Sequence, residues 1–245
     1  MILENSPLRR PPASLSRRQV LILDGIRYAV DTADIAYSRL SAHLQAVAAS
    51  PTEPSVGDIA SAMLDAWSIV DSAHRLRDLV GNLPGLPNAP WRRLLEQRTA
   101  EVAELRDCVQ HQLGEIERLA SGGGQLWGYL SWAELKGDKP TGRWHMMAAG
   151  SDYVGDSWLY IDPVVLPFSV PADRIRLNAF GRKIYLARIV EAAASAARSL
   201  ENDISAGFVR PVGQPALERR GADAVYMAVV EVLVTNSTAP NHSQP

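Results

Sequence analysis

The sequence predicts an α+β fold: an N-terminal antiparallel helical bundle followed by a small antiparallel sheet with a packed helix. Two observations predict it. Apolar residues recur three and four apart over three long stretches before residue 120, and after Gly122-Gly123-Gly124 the period shortens towards two. A chain of 245 residues with 47% hydrophobic and 21% charged residues can also enclose a real core, which excludes collagen-like, disordered and disulfide-stapled classes.

In the first stretch Val20, Leu23, Ile26, Val30, Ala33, Tyr37, Leu40, Leu44 and Val47 form one stripe, which Pro51 and Pro54 bring to an end. The second runs from about Val56 through Ile59, Met63, Ala66, Val70, Ala73, Leu76 and Val80. It stops at a loop rich in glycine and proline, 81–90. The third, from Trp91 to about residue 120, carries Leu94, Val102, Leu105, Val109, Leu113 and Ile116 and is expected to be one continuous helix with Arg98 as the polar member of its stripe. A hairpin is expected from 125–134 and 143–149 around a turn at 136–142. Short strands follow at 159–161, 164–168, 175–179 and 183–186, then an alanine-rich helix at 188–202, while 224–234 reads equally as strand or helix.

This divides the chain into a flexible tail at 1–17, a helical domain at 18–120, a small α+β domain of unassigned role at 125–234 and a second flexible tail at 235–245. The Gly-rich segment lacks the Lys-Ser/Thr of a P-loop and reads as a hinge. With 25 Lys+Arg against 27 Asp+Glu the net charge is −2, so any nucleic-acid contact needs a local basic patch. The single Cys108 excludes an internal disulfide and a multi-cysteine zinc site. No export signal and no apolar run near the ~20 residues of a membrane span are read, so a soluble cytoplasmic protein without membrane contact is expected.

The third stretch contains Glu104-Leu105-Arg106-Asp107-Cys108-Val109-Gln110-His111. On an α-helix Arg106 and His111 lie about 140° apart with about 7.5 Å of rise, so they do not share a face. Two copies meeting across a two-fold axis would bring one subunit's arginine to the other's histidine. Asp107 and His111, four apart, do share a face, where a carboxylate can orient the ring. Arg106 has Val102, Ala103, Val109 and Gln110 three and four positions away, so an acidic partner must come from another element.

Arg106, Asp107 and His111 in a late helix of a bundle resemble the HEPN superfamily, whose motif is an Arg, often followed by a polar residue, and a His four to six residues on. The resemblance covers about residues 18–120. It implies a metal-independent endoribonuclease, commonly a homodimer through the helical domain, and a toxin or antiphage effector in several relatives, in some cases with an antitoxin; other relatives are inactive. Under this reading His111 is the general acid or base, Arg106 binds phosphate oxygens and Asp107 holds the histidine or a substrate hydroxyl, with the RNA 2′-hydroxyl as nucleophile and no cofactor or metal. Arg75 and Arg77 would form a positive rim for RNA. The alternative is a catalytically inactive HEPN-like binding or scaffold protein that recognises a partner protein.

Other residues admit weaker readings. Cys108 precedes His111 by three, yet a lone cysteine is more commonly a small core residue than a nucleophile. His74 with Asp71 or Asp78 lacks a diagnostic metal spacing. Trp127, Tyr129, Trp132, Trp144 and Trp158 form either a base-stacking platform or a sheet core, and His145 is read as a polar-face residue.

Overall fold

Two serines start the two longest helices in the same way. In the computed structural model, which describes residues 2–122, 126–135, 142–150 and 175–215, Ser16 caps α1 (Arg17–Ala49) and Ser55 caps α2 (Val56–Gly81). Each forms a capping box with the residue three positions on, Gln19 and Asp58, so that orphan amides at the helix start are satisfied on both sides. The expected apolar stripes face inward: Leu23, Ile26, Leu40 and Leu44 of α1 meet Ala66, Ile69, Val70 and Leu76 of α2, all at most 1% exposed. At about 1.5–3 kcal/mol per fully buried aliphatic side chain, this pairing outweighs any single polar contact in the bundle.

The expected single third helix is instead three. It divides into α3 (Pro90–Arg98), α4 (Ala100–Gln110) and α5 (Gln112–Gly122), with breaks at Thr99 and His111. Thr99 is fully buried, and its hydroxyl donates back to the Leu95 carbonyl at 2.6 Å, a bond that bends helices. Arg77 of α2 locks the bend by donating through Nη1 to the Glu96 carbonyl at 2.8 Å and to the Thr99 hydroxyl oxygen at 3.0 Å. The breaks reset the apolar phase. Val102 and Leu105 are fully buried, whereas Leu94, Leu113 and Ile116 stay 41%, 85% and 43% exposed.

The strand-rich half forms a four-stranded antiparallel sheet from β1 (Tyr129–Leu135), β2 (Gly142–Ala148), β3 (Arg176–Ala179) and β4 (Arg182–Tyr185), in the order β2-β1-β3-β4. The expected hairpin pairs Tyr129 with Ala148 and Trp132 with His145. Between β3 and β4 the turn residues Phe180 and Gly181 have φ of 53° and 75°, the paired positive values that match strand twist in a two-residue hairpin loop. The core face of the sheet carries Leu130, Trp132, Met147, Leu177 and Ile184, and its other face places Asn178 beside Ser131, where Asn178 Nδ2 donates to Oγ at 3.3 Å. The strands expected at 159–161 and 164–168, the turn at 136–141 and the segment 224–234 lie outside the described residues, as does the tail at 235–245.

Helix α6 (Leu186–Ser205) follows β4 directly and packs against α1, α2 and α3. Its Ala192, Ala193, Ala196 and Ala197 are nearly fully buried and, being small, let α6 sit close to the bundle while Leu200 and Ile204 fill the remaining space. One core cluster therefore mixes α1, α2 and α6, and the other mixes α1, α2 and α4 with the sheet, so both cross the expected division at residues 120–125.

Nor is the amino-terminal segment a loose tail over its described residues. Leu8 and Leu15 are buried, Arg9 pairs with Asp31 at 2.8 Å, and the Ile2 amide donates to Asp31 at 2.8 Å. The polar composition of this segment conceals three apolar anchors, Ile2, Leu8 and Leu15. Gln19, fully buried, fastens the same end of the molecule: its Nε2 donates to the carbonyls of Pro84 and Arg210 at 2.9 and 2.8 Å, and its Oε1 accepts from the Val212 amide at 3.1 Å.

Gly85 sits in that junction with φ of 75°, and an added Cβ would stand 2.0 Å from the Arg210 carbonyl oxygen. Gly85→Ala is therefore expected to destabilise the protein by roughly 2 kcal/mol or more. In contrast Gly114→Ala, where nothing lies within 4 Å of the new Cβ, should be neutral or stabilising by up to about 1 kcal/mol. Urea denaturation of the two variants checks the contrast, which an equal effect at both positions would contradict.

Candidate functional site

Arg106 lies in α4, one residue beyond the buried Leu105, and its side chain runs to α2. There its Nε approaches Asp71 Oδ1 at 3.1 Å. The acidic partner that the α4 sequence does not supply is thus provided by the neighbouring helix. Asp71 serves a second guanidinium as well: Arg75 Nε, one turn on, lies 2.7 Å from its Oδ2. The result is an Arg-Asp-Arg cluster of net positive charge, with Arg106 28% and Arg75 68% exposed. In both pairs the closest approach is through Nε, and no hydrogen bond engages the terminal nitrogens of either guanidinium among the described residues. Those nitrogens are the prongs that bind a phosphate in two-pronged fashion.

His111 does not stand on a continuous helix. It is the residue at the α4–α5 break, with φ −110° and ψ 31°, and its side chain is exposed. The expected side-chain pair with Asp107 is not formed: among the described residues the two are joined by the His111 amide donating to the Asp107 carbonyl at 3.1 Å. The break explains this, because a ring on a non-helical residue no longer projects along the face that holds the carboxylate one turn earlier. Asp107 is exposed too.

The two halves of the motif face different neighbours. Arg106 reaches α2, whereas Glu104, on the other side of α4, pairs with Arg182 of β4. Within one chain no contact joins Arg106 to His111, as the helical geometry anticipates. The other singled-out residues disperse. Arg77 is spent on the α3–α4 bend and leaves the expected RNA rim; Arg75 remains at the surface beside Asp71. His74 pairs with Asp78 at 3.3 Å, and no group of three metal-ligating side chains exists among the described residues. Cys108 is half-buried against the main core.

The tryptophans do not form a shared platform among the described residues. Trp132 is 2% exposed and stacks on His145 at 5.1 Å, so His145 is a stacking partner and not a free polar residue. Trp127 packs edge-on against Trp67 at 6.4 Å, while Trp158 and the side chain of Trp144 lie outside the described residues.

Sequence reasoning missed a cluster between α1 and α2. Asp65 is 7% exposed, with Arg39 at 3.2 Å, and His43 Nε2 lies 3.0 Å from the Asp58 carbonyl oxygen. Burial raises the Asp65 carboxyl above its ordinary value, against the opposing pull of Arg39 and His43. An aspartate among apolar stripe positions at Ala62, Ala66 and Ile69 is the signal that marks it. Asp58 is held below the usual range by the Ser55 hydroxyl and then by the Ser55 amide.

A carboxyl raised on folding makes the folded chain bind its proton more readily. Its contribution is therefore greatest below 3.8 and declines as pH rises through the raised folded value. Asp65→Asn removes that decline, so the stability of the variant relative to the wild type should increase from acid to neutral pH. Urea midpoints measured below 3.8 and at neutral pH check this; a variant that loses ground on neutralisation would contradict it.

Comparison of the chain with known protein families, curated proteins and solved structures finds no match, so the side-chain geometry alone bears on its function.

Proposed function

We propose that the protein is a HEPN-like, metal-independent endoribonuclease that works as a homodimer through its helical half. One observation carries the reading: Arg106 is held at the surface by Asp71 through its Nε side, in a cluster with Arg75 whose terminal nitrogens are unengaged. A carboxylate that grips the shaft of the fork fixes its direction without occupying its prongs. Two guanidiniums about one carboxylate retain a net charge that suits a phosphodiester.

The chemistry follows from these groups. The ribose 2′-hydroxyl attacks the adjacent phosphorus, the bond to the 5′-oxygen breaks, and a cyclic phosphate and a free 5′-hydroxyl are left. His111, an exposed imidazole, moves the proton, and Arg106 stabilises the charge that grows on the phosphorus oxygens. Asp107 is close enough in sequence to orient a ribose hydroxyl. Because Arg106 and His111 face different ways on one chain, the groove requires a second copy to supply the missing partner. The exposed Leu113 and Ile116, two and five residues beyond His111, give that copy apolar surface to cover.

The second reading, an inactive scaffold that binds a partner protein, is favoured by the Asp71–Arg106 pair if the carboxylate neutralises the arginine instead of aiming it. Toxin or antiphage roles and a neutralising antitoxin belong to the first reading.

Purified protein in excess chelator should cut RNA, leave the matching DNA intact and yield cyclic phosphate ends. His111→Ala should slow cleavage by about 10²–10⁴-fold with an unchanged melting curve, since the side chain is exposed. Intact RNA after incubation with the wild type would contradict the ribonuclease reading and favour the scaffold.

A further inference from the structure

The Arg106–Asp71–Arg75 cluster borders a groove of about 350 Å³ between α1 and α2, which Asp71 and Arg75 line together with Tyr28 and Ser72. That volume is at the small end of the range of ligand sites. The groove exists because small residues face it from both helices, Gly25 and Ala29 on α1 and Ser68 and Ser72 on α2.

Ser72 distinguishes it from a gap in packing. The residue is 6% exposed, yet its hydroxyl makes no hydrogen bond among the described residues. Ser68, one turn earlier on the same wall, satisfies its own hydroxyl by donating back to the Leu64 carbonyl at 2.7 Å. A buried hydroxyl left without a partner costs about 1–3 kcal/mol, and a polar ligand group seated in the groove relieves that cost.

Tyr28 supplies a second kind of contact. Its ring is 58% exposed, and the guanidinium of Arg27, a residue only 5% exposed, lies 4.2 Å from the ring centroid. A ring braced on one face by a cation offers its other face for stacking. Guanidinium prongs, a stacking ring and an unpaired hydroxyl along one groove correspond to the phosphate, the base and the polar edge of a nucleotide.

We infer that this groove holds one unpaired nucleoside of the RNA next to the scissile phosphate, so that the substrate is single-stranded at the cut; this rests on the ribonuclease reading of the Arg106 cluster. Tyr28 stacks on the base and Ser72 hydrogen-bonds its edge or the ribose. A base inside a duplex is already stacked and paired, and its face is closed to Tyr28.

Fluorescence anisotropy on the full chain carrying His111→Ala, so that RNA stays intact, tests this with a short labelled single-stranded RNA and with the same strand annealed to its complement. The single strand should bind at least about tenfold more tightly than the duplex. Tyr28→Ala should weaken it by about tenfold and Tyr28→Phe should restore it. Ser72→Ala should weaken it by roughly fivefold while the melting temperature holds or rises, because an unpaired buried hydroxyl is removed. A role in packing alone would move the melting curve and leave the affinity for RNA unchanged. Silence with the single strand, equal affinity for the duplex, Tyr28→Ala and Ser72→Ala variants that bind like their parent, or a change of oligomeric state in Tyr28→Ala would overturn the proposal. Binding with the expected pattern by a chain whose wild-type form leaves RNA uncut would instead contradict the ribonuclease reading and leave the groove standing.

Discussion

The bend at Thr99 decides where the second half of the bundle points. A threonine hydroxyl that satisfies a carbonyl of its own helix, and an arginine from α2 that satisfies both that hydroxyl and the Glu96 carbonyl, turn the chain through a fixed corner. Because Thr99 is fully buried, its hydroxyl depends on the Leu95 carbonyl and the Arg77 guanidinium for hydrogen bonds that water cannot supply. Past that corner Val102 and Leu105 meet α2, Arg106 meets Asp71, and Glu104 meets Arg182.

From this follows a division of labour along α4. The face that carries Arg106 is tied to the helical bundle, and the face that carries Glu104 is tied to the sheet. Polar groups of opposite function are thereby held apart within one chain. A reaction that needs an arginine and a histidine on one phosphate cannot run on a single copy of such a helix, which makes assembly a chemical requirement of the proposed mechanism. Asp71 enters this logic as a positioning residue: a carboxylate between two guanidiniums reduces their mutual repulsion and restricts the rotamers of both.

Much of this was legible before any coordinates. The α1 and α2 stripes, the prolines and glycines that end them, the switch of period after the glycines, and the need for an external acid beside Arg106 all follow from local pattern. Patterns of this kind are local, and the failures are where long-range contacts intervene. The continuity of 91–120 fails because Thr99 bends under a bond from Arg77, 22 residues earlier. The Asp107–His111 pair fails with the second break. Residues 2–16 looked like a tail because Leu8 and Leu15 are isolated in polar text, and isolated anchors carry no period. The shared carboxylate Asp71 stands out in the sequence only as a weak metal-ligand candidate beside His74, since nothing in sequence joins α2 to α4.

The central claim is that two copies of the chain present Arg106 and His111 to one phosphodiester. The most direct measurement is a crystal structure with an RNA whose 2′-hydroxyl is replaced by hydrogen at the cleavage position, so that the wild-type protein holds it uncut. The account predicts a phosphate against the terminal nitrogens of Arg106 from one subunit and the imidazole of His111 from the other, with Asp71 still on the Nε side. A monomer, or a nucleic acid bound with Arg106 still closed onto Asp71 and His111 facing open solvent, would contradict it.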